Sequence, residues 1–151
     1  MKIVSGGQTG VDRAALDVAL ELGLSCGGWC PAGRRAEDGP IDARYPLAET
    51  PSADPAQRTE WNVRDSDATL VLTGGPSAGT ERAREAARRL GRPVYTFSAG
   101  GPPDVGAFRR WLQLYRVRTL NVAGPRESES PGIHAAALAT LRALLDPRGA
   151  M

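Results

Sequence analysis

Soft metal ligands, lysines, aromatic residues and long apolar runs are all scarce in this chain of 151 residues. With 2 cysteines and 1 histidine, a structural zinc site built from one chain is excluded. Cys26 and Cys30, in Cys26-Gly-Gly-Trp-Cys30, read as two reduced thiols with at least one packed in a core, the alternative being a thiol contact to a bound metal centre. Aromatics amount to 5%, and the basic residues alternate with acids, as in Glu81, Arg82, Arg84, Glu85, Arg88 and Arg89. That pattern provides no basic stripe for a nucleic-acid duplex. The apolar run Ala68 to Thr73 falls far short of the roughly 20 residues of a membrane helix, and the chain enters a strand-like run at once. A cytoplasmic protein with no membrane partner and no signal peptide is the expectation. Lys2 is the only lysine, so the positive charge is almost all arginine. The planar guanidinium suits phosphate and carboxylate, although a GC-rich genome produces the same bias.

Glycine and proline are abundant instead, at 18 and 12, and they cluster where apolar runs end. Lys2 to Ser5 is strand-like and runs into Gly6-Gly7-Gln8-Thr9-Gly10, then into a helical pattern with Val11, Ala14, Ala15, Val18 and Leu22 on one face. Gly23 closes that helix, and Ser25 to Trp29 reads as a second strand. Pro31 to Arg58 shows no long periodicity and reads as an extended functional loop, followed by a short helix from Trp61 to Ser66. The strand Ala68 to Thr73 ends at Gly74-Gly75-Pro-Ser-Ala-Gly79-Thr80, and a helix starting near Thr80 stops at Gly91-Arg-Pro93. Val94 to Phe97 predicts a strand, Val105, Phe108 and Leu112 a helix, and Arg118 to Ala123 a fifth strand ending at Gly124. A last helix runs from about Pro131 to Leu145, and residues 147–151 read as a frayed tail. Such alternation predicts one α/β domain over residues 1–151, a Rossmann-like doubly wound, mainly parallel sheet of about five strands with helices on both faces. Ligands of such sheets bind beyond the strand carboxyl ends, where the winding reverses.

Gly6, Gly7, Gln8, Thr9 and Gly10 therefore stand as candidates for a phosphate cradle at a helix N-terminus, the alternative being a tight turn capped by Thr9. The string is neither a P-loop nor a dinucleotide fingerprint, so neither ATP hydrolysis nor hydride transfer follows from it. Gly74, Gly75, Gly79, Thr80 and Glu81 repeat the physics with an added carboxylate. Glu81, with Asp12, is the candidate acid or base if chemistry occurs, though an outward Glu81 paired with Arg84 explains the same spacing. Asn121, Gly124, Arg126, Glu127 and Ser128 form a third cluster, in which Arg126 could clamp an anion bidentately, the alternative being a surface turn with a salt bridge, and Arg34 places a further cation in the long loop. No residues are nominated as metal ligands. His134 reads as a surface or cap histidine.

Several strings carry a resemblance: Ser5-Gly-Gly-Gln-Thr-Gly-Val-Asp-Arg-Ala-Ala-Leu16, Gly28-Trp-Cys-Pro-Ala-Gly-Arg34, Ala36-Glu-Asp-Gly39, Tyr45-Pro-Leu-Ala-Glu-Thr50, Arg58-Thr-Glu-Trp-Asn-Val-Arg-Asp-Ser-Asp-Ala68 and Leu120-Asn-Val-Ala-Gly-Pro-Arg-Glu-Ser128. Across nearly its whole length the chain is similar to the molybdenum cofactor carrier proteins, and more distantly to the lysine decarboxylase-like phosphoribohydrolases. That resemblance implies a Rossmann-like homo-oligomer, tetramer or dimer, which binds molybdopterin or its molybdenum form as cargo and delivers it to molybdoenzymes. It also implies that the loops from Gly6 and Gly74 hold the phosphate of that ligand. Gly74 to Glu81 departs from the Pro-Gly-Gly-x-Gly-Thr string of the phosphoribohydrolases, which speaks against their base-releasing chemistry. Another nucleotide or phosphate ligand, bound or hydrolysed, is the alternative.

Overall fold

The structure, a computed structural model, describes residues 1–150. Strands β1 (Lys2–Val4), β2 (Ser25–Gly27), β7 (Ala68–Thr73), β8 (Val94–Ser98) and β9 (Thr119–Ala123) form one parallel sheet in the order β2-β1-β9-β7-β8. These are the five apolar runs of the sequence, and the fold is the Rossmann-like α/β arrangement expected of them. The order holds something the runs do not: the last strand lies in the middle, between β1 and β7. Placing β9 and its following helix ahead of β1 turns the order into 3-2-1-4-5, that of a Rossmann sheet. The domain is thus a circular permutation of that topology, with the winding reversal between β9 and β7.

Side-chain alternation along the central strands divides the core. Ile3, Leu70, Leu72, Leu120 and Val122 face helices α1 (Val11–Leu22), α4 (Val105–Leu114) and α5 (Ile133–Leu145). Helices α2 (Pro55–Arg64) and α3 (Ala78–Leu90) cover the other face, with Val63, Ala83, Ala86 and Ala87 against Val94 and Ala123. Helix α1 buries Val11, Ala14, Ala15 and Val18 as its spacing predicts, and Gly23 ends it in the left-handed conformation. Helix α3 begins two residues before the expected Thr80, because Ser77 is its cap and accepts the Thr80 amide.

The long segment departs most from expectation. Its chain leaves the sheet at Gly28, where φ is +132° and a Cβ would press on the Ser5 backbone, so Trp29 belongs not to β2 but to β3 (Trp29–Cys30). Strand β3 pairs in parallel with β6 (Ala48–Glu49), and between them β4 (Arg35–Ala36) and β5 (Gly39–Pro40) make a small antiparallel hairpin. Helix α2 starts at Pro55, not Trp61, capped by Asp54 and opened by proline at its first position. At the other end, Pro147–Ala150 of the expected frayed tail form a single 3-10 turn, and Met151 lies outside the described residues.

Candidate functional site

Three loops leave the carboxyl ends of β1, β7 and β9 and are tied to one another. After β1, the Ser5 hydroxyl donates to the Asp12 carbonyl at 2.6 Å, and Arg13 holds the Gly7 carbonyl through Nε and NH2 at 3.1 and 2.9 Å. Gly10 precedes α1 with φ +80°, and its Cα faces the Pro125 carbonyl and the Arg126 backbone so closely that no side chain fits. The Val11 amide then donates to that same Pro125 carbonyl at 3.1 Å. Gln8 and Thr9 are spent on neighbours as well: Gln8 Oε1 accepts the Thr9 and Glu37 amides, and Thr9 Oγ1 bonds Glu37 and accepts the Glu127 amide. Thr9 therefore does not cap α1, whose cap position is Gly10.

A cleft of about 200 Å³ opens between these loops at the winding reversal. Asn121 of β9 lies in it, 3% exposed, its amide nitrogen 3.3 Å from Thr69 Oγ1. The first turn of α3 contributes Gly79 and Thr80 on one side. Thr80 is 5% exposed and its hydroxyl has no partner among the described residues. A buried hydroxyl left unpaired costs on the order of 1–3 kcal/mol, which a bound acceptor or donor recovers. Gly6, Gln8 and Asp12 from the first loop border the other side, joined by Arg58 of α2. Arg58 NH1 donates to the Gly6 carbonyl at 3.0 Å and stands 3.8 Å from Asp12 Oδ2. Arg82 and Arg126 complete three arginines against the carboxylates of Asp12 and Glu129. Glu129 is engaged by Ser77 Oγ and the Arg126 amide, both at 3.1 Å.

Burial pushes the Asp12 carboxyl up from 3.8 to about 6, against the opposing pull of Arg58, the Gln8 amide, Arg13 and the Gly6 amide. Two other carboxylates move the opposite way. The Ser128 and Thr9 hydroxyls, the Ser128 amide and Arg126 outweigh partial burial at Glu37 and hold it below its ordinary value, and the Arg13 guanidinium does the same to Asp38.

Of the residues nominated from sequence, Gly6, Gln8, Asp12, Gly79, Thr80, Asn121 and Arg126 meet in this cleft. Gly7, Thr9, Gly10, Gly74 and Gly75 do not line it; Gly74 packs on Ile133 and its carbonyl accepts Ser130 Oγ at 2.7 Å. Glu81 points away, its side chain 69% exposed and 3.6 Å from Arg84. Arg34, at φ +52°, turns its guanidinium onto the carbonyls of Leu47, Ile41, Asp42 and Tyr45 at 2.9 to 3.4 Å, so its charge organises the long loop. Arg58 and Arg82 are not among the nominated residues; α2 and α3 bring them in, and a cation four residues past Asp54 and five past Ser77 is the available signal. Outside the cleft, His134 Nε2 meets Asp17 Oδ2 at 3.0 Å, Cys30 is buried and Cys26 half-buried. Among the described residues no three His, Cys, Asp or Glu side chains cluster to hold a metal, and no helix is long and apolar enough to cross a membrane.

A permuted parallel sheet with a polar cleft at its winding reversal defines a Rossmann-like domain with a candidate ligand cleft. Residues 3–145 match the circularly permutated YpsA SLOG family, to which the chain belongs, and the permuted strand order is the structural counterpart of that description. A crystal structure described as "Putative molybdenum carrier protein", from Syntrophus aciditrophicus SB, is 38% identical, with a TM-score of 0.88 over 95% of this chain and 94% of the other. No curated protein matches.

Proposed function

We propose that the protein is a small-molecule carrier that holds a phosphorylated ligand in this cleft, with the molybdenum cofactor, bound through its pterin phosphate, as cargo. The observation that carries the reading is the unpartnered Thr80 hydroxyl in the first turn of α3, where no protein acceptor takes the Ala78 or Gly79 amides among the described residues. Backbone donors, a free hydroxyl and the positive end of a helix make a phosphate seat, and Arg58, Arg82 and Arg126 add charge. The Syntrophus relative is described as a molybdenum carrier, which supports a molybdenum-bearing cargo, and the residues present fit the phosphate of the cofactor form. Purified protein titrated with molybdenum cofactor, ATP, ADP-ribose and AMP should bind the pterin most tightly, and Thr80→Val should weaken all phosphorylated ligands. A lack of preference for the pterin overturns the cofactor assignment.

One observation favours a second reading, a nucleotide-processing hydrolase. Asp12 borders the cleft with a carboxyl at about 6, a value suited to proton transfer near neutrality. Release of base, phosphate or ribose phosphate from a nucleotide panel, abolished by Asp12→Asn, would support it; silence across the panel excludes it.

A further inference from the structure

Asp12 is a largely buried carboxylate in a cleft that also holds Glu129, whose Oε1 is taken by Ser77 and the Arg126 amide. Arg58, Arg82, Arg126 and the Thr80 hydroxyl suit an anion, and a phosphate beside Asp12 would be repelled. Its cost is recovered if the ligand brings hydrogen-bond donors to it. A carboxylate accepts about four hydrogen bonds. The Gly6 and Gln8 amides face Asp12, and Arg58 NH1, the nearest charge at 3.8 Å, is directed to the Gly6 carbonyl at 3.0 Å. Acceptor capacity is left on the side that borders the cleft, where the Asp12 side chain is 15% exposed.

The topology separates this carboxylate from the phosphate seat. Asp12 opens α1 after β1 and Thr80 opens α3 after β7, on opposite faces of the sheet with β9 between the two strands, so the two groups stand at opposite ends of the cleft. A phosphate at one end and a flat heterocycle at the other fit that separation. The neighbouring amides are less available to read such a ring. Asn62 is committed at both ends to the Trp29 backbone, accepting its amide at 2.8 Å and donating to its carbonyl at 3.0 Å. Asn121 is turned to Thr69.

The geometry points to Asp12 as the residue that reads the ligand's ring, its carboxylate accepting the amino group and adjacent ring N–H of a 2-amino-4-oxo heterocycle, the edge shared by pterin and guanine. This rests on the cleft being the phosphate site proposed above. Two parallel N–H donors match a carboxylate as a guanidinium does. Adenine places a ring acceptor next to its amino group and sets a lone pair against Asp12, and hypoxanthine lacks the amino group. Asp12 thereby selects the ring, and the α3 end selects the phosphate.

Calorimetric titration of the intact protein with GMP, IMP, AMP and inorganic phosphate tests this. GMP binds about tenfold or more tightly than IMP, from which it differs by the amino group alone, and than AMP. Asp12→Asn, shown folded by its circular dichroism and melting, brings GMP to the level of IMP and leaves phosphate binding no weaker. Equal affinities of GMP, IMP and AMP in the wild-type protein, with phosphate still bound, overturn the role of Asp12 and leave the carrier reading standing. Absence of binding by every probe, phosphate included, overturns the phosphate seat and the ring assignment with it.

Discussion

Glu37 and Ser128, 91 residues apart in sequence, are joined by a 2.5 Å hydrogen bond from the serine hydroxyl to Glu37 Oε2. The other carboxylate oxygen accepts the Ser128 amide at 3.0 Å and bonds the Thr9 hydroxyl, so one side chain from the β4–β5 hairpin clasps the loops after β1 and β9 together. Asp38 adds a second tie to Arg13 at 2.8 and 3.2 Å. The cleft is bordered by two loops whose relative position depends on a hairpin that does not itself line it.

Glu37→Gln removes the charge that makes these bonds strong, and the expected loss of stability is about 1–2 kcal/mol. Because the folded state holds Glu37 below its ordinary 4.5, this contribution is present at neutral pH and disappears as pH falls below 4.5 and through the folded value. Chemical denaturation of both proteins across that range should show the gap closing in acid. Hydrogen exchange should quicken at residues 35–40 in the variant; equal exchange in the two proteins would mean that the hairpin is held by something else.

Asp12 works in the opposite sense. Its folded value of about 6 exceeds its ordinary 3.8, so between those two the folded state binds more protons than the unfolded one. Stability from this group is therefore full below about pH 4 and declines as pH rises through 6, by up to about 3 kcal/mol. Asp12→Asn should leave stability unchanged at pH 4 and raise it at pH 8. A variant less stable than wild type at pH 8 would show that the carboxylate is a net structural asset, held by Arg58 and the Gly6 and Gln8 amides.

The strands were legible because buried parallel strands write themselves as short apolar runs, and α1 and α3 because their apolar spacing and terminal glycines agree. The position of β9 was not legible, since strand order depends on pairings between runs more than fifty residues apart, as between Val4 and Asn121. The early start of α2 had a local signal, Asp54 before Pro55, but Pro55-Ala-Gln-Arg58 carries no apolar stripe to draw attention to it. The candidate site was half legible for a related reason. Glycines that let two backbones touch, such as Gly10 and Gly124, look the same in sequence as Gly79, which borders open space. Arg34 and Arg58 are both arginines of the long segment, and only the fold turns one onto loop carbonyls and the other into the cleft.

Gly79 and Gly10 separate binding from folding. A Cβ on Gly79 meets no atom within 4 Å and the residue lines the cleft, so Gly79→Leu should block ligand while shifting stability by less than about 1 kcal/mol. Gly10→Ala meets the Pro125 carbonyl and the Arg126 backbone at φ +80°, and should cost about 2 kcal/mol or more. Melting curves and phosphate titration of the two variants check the contrast. Undiminished binding by Gly79→Leu would place the ligand elsewhere.

The same division applies to the arginines, where charge alone is uninformative. Arg34 donates to four loop carbonyls, and its replacement by Met leaves those acceptors unpaired in the half-buried long segment. Arg34→Met should lower stability by about 2–4 kcal/mol. Arg126 is half exposed, with its carboxylate neighbours at 3.7 and 3.8 Å, so Arg126→Met should change stability by about 0.5 kcal/mol or less. Binding should follow the reverse order, measured by titration at a temperature where both variants are folded. Arg126→Met is expected to weaken a phosphorylated ligand about tenfold and to flatten its salt dependence, since a guanidinium bordering the cleft attracts the anion and salt screens that attraction. Arg34→Met is expected to retain wild-type affinity in its folded fraction. If Arg34→Met proves to be the weaker binder, the ligand reaches into the long segment, and the cleft between β9 and β7 is only part of its site.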